Sequence, residues 1–122
     1  MIRFSKRLRR VSWVKYHINY LRRWREAVEK LARAVKDIEP SAEVYVFGGA
    51  AENRLTVLSD IDVAIVLEKP LPPEKLVEMR RRIYSRAVDV YQLPWDYPIE
   101  IHLMSREDFE YIEKKSKIIR IA

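Results

Sequence analysis

Residues 61–68 read IDVAIVLE, and from Val63 to Leu67 every position is apolar. A strand shows successive side chains to opposite faces, so an apolar run on both faces needs cover on both sides. This segment is therefore expected to be a central strand, and the rest of the chain must supply its neighbours and its layers. Its N-terminal end breaks the pattern. Asp60 and Asp62 flank Ile61 there, although aspartate is a poor strand residue.

The neighbours can be read in chain order. Val14, His17, Leu21, Trp24, Val28, Leu31, Val35 and Ile38 recur at spacings of three and four, which predicts one long helix over residues 12–39, stopped by Pro40. His17 lies on this stripe and is expected to be packed and hydrogen-bonded. EVYVFG (43–48) is a short β-rich run that ends in Gly48-Gly49. Pro73 and Glu74 suit the first turn of a helix, and Leu76, Met79, Ile83, Ala87 and Val90 carry it to about residue 91. QLPWDYP is a loop. IEIHLMS (99–105) alternates, with Ile99, Ile101 and Leu103 on one face and Glu100 and His102 on the other. Ser105 followed by Asp108 predicts the cap of a last helix over 106–117. The expected fold class is α/β in the α+β sense: a small mixed sheet with helices packed on one face.

Charge divides the chain. Residues 1–36 hold 12 of the 24 basic residues and only two of the 18 acidic ones, a net of +10, while residues 37–122 net −4. Residues 1–19 thus form a basic arm leading into the first helix, a footprint for nucleic acid or an acidic partner. The arm also carries Trp13, Tyr16 and Tyr20. With 122 residues, residues 1–122 are expected to form a single domain able to bury a core without staples. There is no cysteine, hence no disulfide framework or thiol chemistry. No apolar run approaches the roughly 20 residues that span a bilayer, and the basic N-terminus lacks the apolar centre of a secretory signal, so a cytoplasmic location is expected. Asn and Gln are scarce (Asn19, Asn53 and Gln92) and a third of the chain is charged, a composition of the thermophilic kind.

The glycines and aspartates belong to one question. Gly48-Gly49 closes the first strand, and AAENRLTVL can begin a short helix after it. A glycine turn leading into a helix N-terminus is suited to an anion, because backbone amides point at the ligand and no side chain blocks its approach. On a strand, Asp60 and Asp62 would project from one face. Two such carboxylates repel unless a cation lies between them, and hard oxygen ligands suit Mg²⁺ or Mn²⁺. If the third strand lies beside the second, Glu100 can reach them. Three carboxylates beside a phosphate turn suit in-line attack on a phosphoryl group with two metal ions. His102 shares that face and is expected to be exposed, or to orient a group near the site.

Gly48-Gly49, ten residues, then Asp60-Ile61-Asp62 resembles the nucleotidyltransferase signature of Gly-Ser, about ten residues, Asp-hydrophobic-Asp. The chain is similar to the minimal nucleotidyltransferases of the DNA polymerase beta superfamily over about residues 20–115. The resemblance implies Asp60, Asp62 and Glu100 as metal ligands, with Glu100 also a possible base, and Gly48, Gly49, Arg54 and Ser59 as nucleotide-binding residues. It implies Mg²⁺ or Mn²⁺ as cofactor and ATP as the nucleoside triphosphate. Relatives of this size often form the antitoxin half of a pair with a helical HEPN-type protein, which implies transfer of AMP to a tyrosine of that partner. Two departures stand out. The family serine is Gly49 here, and GSRARG in many relatives is GGAAEN, so Glu52 stands where Arg is usual and Asn53 where Gly is usual. Arg54 would return some positive charge. Two other functions fit the same chain: a protein that only binds its partner, with an inherited acidic site, or an RNA-binding protein that uses the basic arm.

Overall fold

The computed structural model describes residues 6–122, with side chains from Trp13 onward. Eight elements follow in order: α1 (Lys6–Arg22), α2 (Trp24–Ile38), β1 (Glu43–Phe47), β2 (Ile61–Leu67), α3 (Pro73–Asp89), β3 (Ile99–Ser105), α4 (Arg106–Lys115) and β4 (Ile118–Arg120). The fold is mixed α+β around one four-stranded sheet of order β3-β2-β1-β4. β1 runs antiparallel to both β2 and β4, and β2 runs parallel to β3. A parallel pair needs a long crossover, and α3 provides it. β2 is central, as its composition requires: every residue is buried except Asp62.

One face of the sheet carries the main core. Val44, Val46, Ile61, Val63 and Ile65 are inaccessible to solvent and cluster with Val28, Leu31 and Val35 of α2 and Ile83 and Ala87 of α3. Each such side chain contributes about 1.5–3 kcal/mol by leaving water. Asp37 of α2 ties the two helices together, accepting hydrogen bonds from Arg86 Nε at 2.7 Å and from the Tyr91 hydroxyl. On the opposite face α4 lays Phe109 over Tyr45, Ala64 and Val66, with the Tyr45 and Phe109 rings 4.3 Å apart. The predicted cap is in place, with Ser105 Oγ accepting from Asp108 N at 3.2 Å. Since α4 covers only part of this face, Asp62 keeps 28 % of its side chain exposed.

The sheet is thus covered on both faces, where helices were expected on one only. Three further expectations are corrected. The single helix over 12–39 is two helices that break at Arg23, where the amides of Arg23 and Glu26 reach back only three residues, to Tyr20 and Arg23. The Tyr97 hydroxyl donates to the carbonyls of Tyr20 and Leu21, at 3.0 and 3.2 Å, and so supplies a partner the helix ladder no longer provides. Burial pushes the Tyr97 hydroxyl up to about 12, so it remains a protonated donor. The apolar stripe works as core only from Leu21 onward. Val14 is 39 % exposed, and His17, half-buried, stacks on Trp13 at 5.2 Å.

The second correction concerns the segment after Gly49, which forms turns rather than a short helix. Arg54 N bonds Gly49 O at 2.7 Å and Asn53 N bonds Ala50 O at 3.3 Å, while Asn53 has φ +57°. That is the closure that ends helices, applied after a single turn. The third is β4, absent from the sequence reading. It pairs Phe47 with Ile118 and so brings the end of α4 back to the glycine turn. Among the described residues, no helix is long and apolar enough to cross a membrane.

Candidate active site

The site forms where β1 ends and β2 begins. Gly48 follows β1 with φ +71°, a conformation side chains rarely adopt. A Cβ on it would lie 2.8 Å from Asp62 Oδ2. Gly48 is therefore glycine for two reasons, backbone and space, and the second reason is the aspartate itself. At Gly49 the case differs. Its φ is ordinary, and a Cβ would meet only Arg54 O at 3.5 Å, a normal contact.

The parallel pairing of β2 and β3 sets Asp62 beside Glu100 and Ala64 beside His102. All three polar side chains of this patch point away from the main core, toward the face α4 leaves uncovered. One ligand atom from each of Asp62, Glu100 and His102 lies within 4.8 Å of the others. His102 Nε2 is 3.2 Å from Asp62 Oδ1 and 3.9 Å from Glu100 Oε1. The Phe47 ring, tilted at 5.2 Å from the imidazole, packs against it. Histidine thus enters the cluster directly, whereas the sequence reading has it exposed or orienting a group near the site.

Asp60 is not brought in. β2 begins at Ile61, so Asp60 lies one residue outside the strand and is exposed. Its carboxylate is not among the ligand atoms that lie within 4.8 Å of one another. Arg54 forms an ion pair with Glu52, which cancels the negative charge introduced there but leaves the pair without net charge. Ser59 closes a turn, accepting from Thr56 N at 2.8 Å.

The donor set fits a divalent cation. One carboxylate within hydrogen-bonding range of the imidazole and a second 3.9 Å from it offer two hard oxygens and a nitrogen, a combination that suits Mn²⁺ as a whole and Mg²⁺ through the oxygens. Beside it lies the turn. Among the described residues, the amides of Gly49, Ala50 and Ala51 have no acceptor, whereas Gly48 N donates to Ser116 Oγ at 3.2 Å. Successive unpartnered amides form a concavity for anions. Cation ligands and anion donors are therefore adjacent, an arrangement suited to a metal-bound polyphosphate.

Comparison with known proteins agrees. The family model described as Nucleotidyltransferase domain matches residues 28–122. A crystal structure from Sulfolobus solfataricus, whose assignment as a nucleotidyltransferase is itself provisional, is similar in fold. Its TM-score is 0.58 at 19 % identity over 85 % of this chain and 84 % of that one. A second solved structure with the same provisional assignment gives a TM-score of 0.51 at 23 % identity, over 78 % of this chain and 97 % of the other. At these identities the two structures speak for the fold, while the family match spans most of the sequence: the chain belongs to the nucleotidyltransferase domain family.

Proposed function

We propose that this protein transfers a nucleoside monophosphate, AMP from ATP, to a hydroxyl group of a partner protein. The observation that supports it is the cluster of Asp62, Glu100 and His102 beside the Gly48 turn. Asp62 and Glu100 would hold a divalent cation, His102 would complete or orient the set, and Asp60, one residue before β2, would be the third carboxylate available to it. A cation held there would supply neutralisation of phosphate charge. The amides of residues 49–51 hold the phosphate chain. The acceptor oxygen attacks the α-phosphorus and forms the new P–O bond as the bond to the β-phosphate oxygen breaks. Pyrophosphate leaves, and the hydroxyl proton passes to Glu100, whose side chain is 56 % exposed and open to an incoming group.

Nucleotide binding is expected to depend on the cation. Without it, Asp60, Asp62 and Glu100 would face a triphosphate of the same sign. Calorimetry with ATP should give a clear binding isotherm with Mg²⁺ or Mn²⁺ and none in EDTA, with Mn²⁺ at least as effective because imidazole suits it. Equal binding in EDTA would refute the metal-dependent site.

The partner is proposed to be a helical HEPN-type protein that docks on α1. Trp13 and Tyr16 support this: they are 60 % and 69 % exposed and stand on a basic helix. Tyr20 takes less part, because it packs on Tyr97 with rings 4.8 Å apart. Exposed aromatics amid arginines are typical anchors of protein interfaces. Trp13→Ala with Tyr16→Ala should weaken the partner complex at least tenfold, whereas raising salt should weaken it less. Phosphate-dominated binding to RNA would instead fall with a log–log salt slope of roughly −0.7 per contact. Pull-down and salt titration against the co-purified partner and against generic RNA decide between the two.

A further inference from the structure

The family serine that follows the first glycine is missing here, yet a serine hydroxyl stands at the turn. Ser116 lies immediately after α4 and two residues before β4. The pairing of Phe47 with Ile118 returns that stretch of chain to the end of β1. There Gly48 N donates to Ser116 Oγ at 3.2 Å, while Ser116 Oγ donates only to the carbonyl of its neighbour Lys117, at 3.3 Å. The second bond is long and local, so the hydroxyl proton can be redirected with little loss. Next to it run the amides of residues 49–51, without acceptors among the described residues, and on the other side of Gly48 lies Asp62.

We infer that Ser116 supplies the hydroxyl that Gly49 lacks, donating to the phosphate chain of the bound nucleoside triphosphate. The inference rests on the nucleotidyltransfer reading above. The hydroxyl is delivered from the far end of the chain by β4 rather than from the glycine turn itself. A hydrogen bond to a charged acceptor is stronger than one between neutral groups, and Gly48 N keeps the oxygen in place as the proton turns toward phosphate. Lys115 and Lys117, the residues on either side, add positive charge on the same segment.

The test is calorimetric binding of ATP with Mg²⁺ to five proteins: wild type, Ser116→Ala, Ser116→Thr, Gly49→Ser, and Ser116→Ala combined with Gly49→Ser. Ser116→Ala should weaken ATP about tenfold, the low end for a hydrogen bond to a charged group. Ser116→Thr keeps a hydroxyl and should bind nearly as wild type. Gly49→Ser, for which the turn has room, should restore most of the lost affinity. It should improve the wild-type protein less, because the two hydroxyls would compete for the same oxygens. Unchanged affinity in Ser116→Ala overturns the inference and leaves the nucleotide site standing. A loss that neither threonine nor Gly49→Ser recovers overturns it too, since Ser116 would then only brace the turn. Failure of the wild-type protein to bind ATP with either Mg²⁺ or Mn²⁺ overturns the nucleotide reading itself, and the inference with it.

Discussion

Gly48→Ala is expected to cost about 2–3 kcal/mol of stability and to abolish metal-dependent ATP binding. The left-handed backbone alone disfavours a side chain by about 1–2 kcal/mol. The remainder comes from contact. The new Cβ would sit 2.8 Å from Asp62 Oδ2, closer than such atoms approach, so the carboxylate or the turn must move. If the carboxylate moves, it leaves His102; if the turn moves, the amides of residues 49–51 lose their aim. Gly49→Ala is the control. Its backbone is ordinary and its Cβ has a normal contact at 3.5 Å, so stability should change by less than about 0.5 kcal/mol. Urea unfolding of both variants, followed by ATP calorimetry, makes the comparison. Equal stability of the two would mean that the turn adopts another conformation in solution.

This contrast also marks where the sequence was legible. Central placement of β2 followed from Val63 to Leu67 because burial on both faces leaves a composition no surface strand has. Glu100 was placed beside Asp62 by alternation alone, once the third strand was assumed to be adjacent, and the register pairs the two directly. Local rules failed where a distant residue intervened. The heptad-like stripe ran smoothly through Arg23, but Tyr97 takes the carbonyls of Tyr20 and Leu21, and the helix breaks there. Asp60 shares a spacing with Asp62 but not a strand, and only the pairing of Ile61 N with Pro98 O, at 2.8 Å, shows where β2 begins. Asn53 was legible as a residue tolerant of positive φ, though not as the reason the turn never becomes a helix. Ile118, Ile119 and Ile121 are β-branched residues suited to a strand, but a run this short has no period of its own, and only its pairing with β1 defines β4 and places Ser116.

Asp62→Asn is expected to reduce nucleotidyl transfer by several orders of magnitude while the fold persists. The substitution keeps the shape of the side chain and its hydrogen-bonding reach to His102, at 3.2 Å in the native protein, but removes the charge that would hold a cation. Electrostatic stabilisation of phosphoryl transfer is the largest single contribution such a site makes, so the rate should fall far more than stability changes. The melting temperature should hold or rise, because Asp62 and Glu100 are neighbours across the β2–β3 ladder and like charges in that position repel. Glu100→Gln should abolish transfer as well if its carboxylate takes the acceptor proton. Asp60→Asn is the more informative third variant. If Asp60 shares in holding the cation, its loss should cut transfer as severely as that of Asp62, even though it stands outside the cluster of Asp62, Glu100 and His102. The assay incubates each variant and the co-purified partner with labelled ATP and Mg²⁺ and scores label on the partner. Label present with the wild type and absent with Asp62→Asn establishes the enzyme. A partner neutralised equally by the protein with Asp60→Asn, Asp62→Asn and Glu100→Gln combined, without label at any stage, would instead establish a binding protein on a nucleotidyltransferase fold.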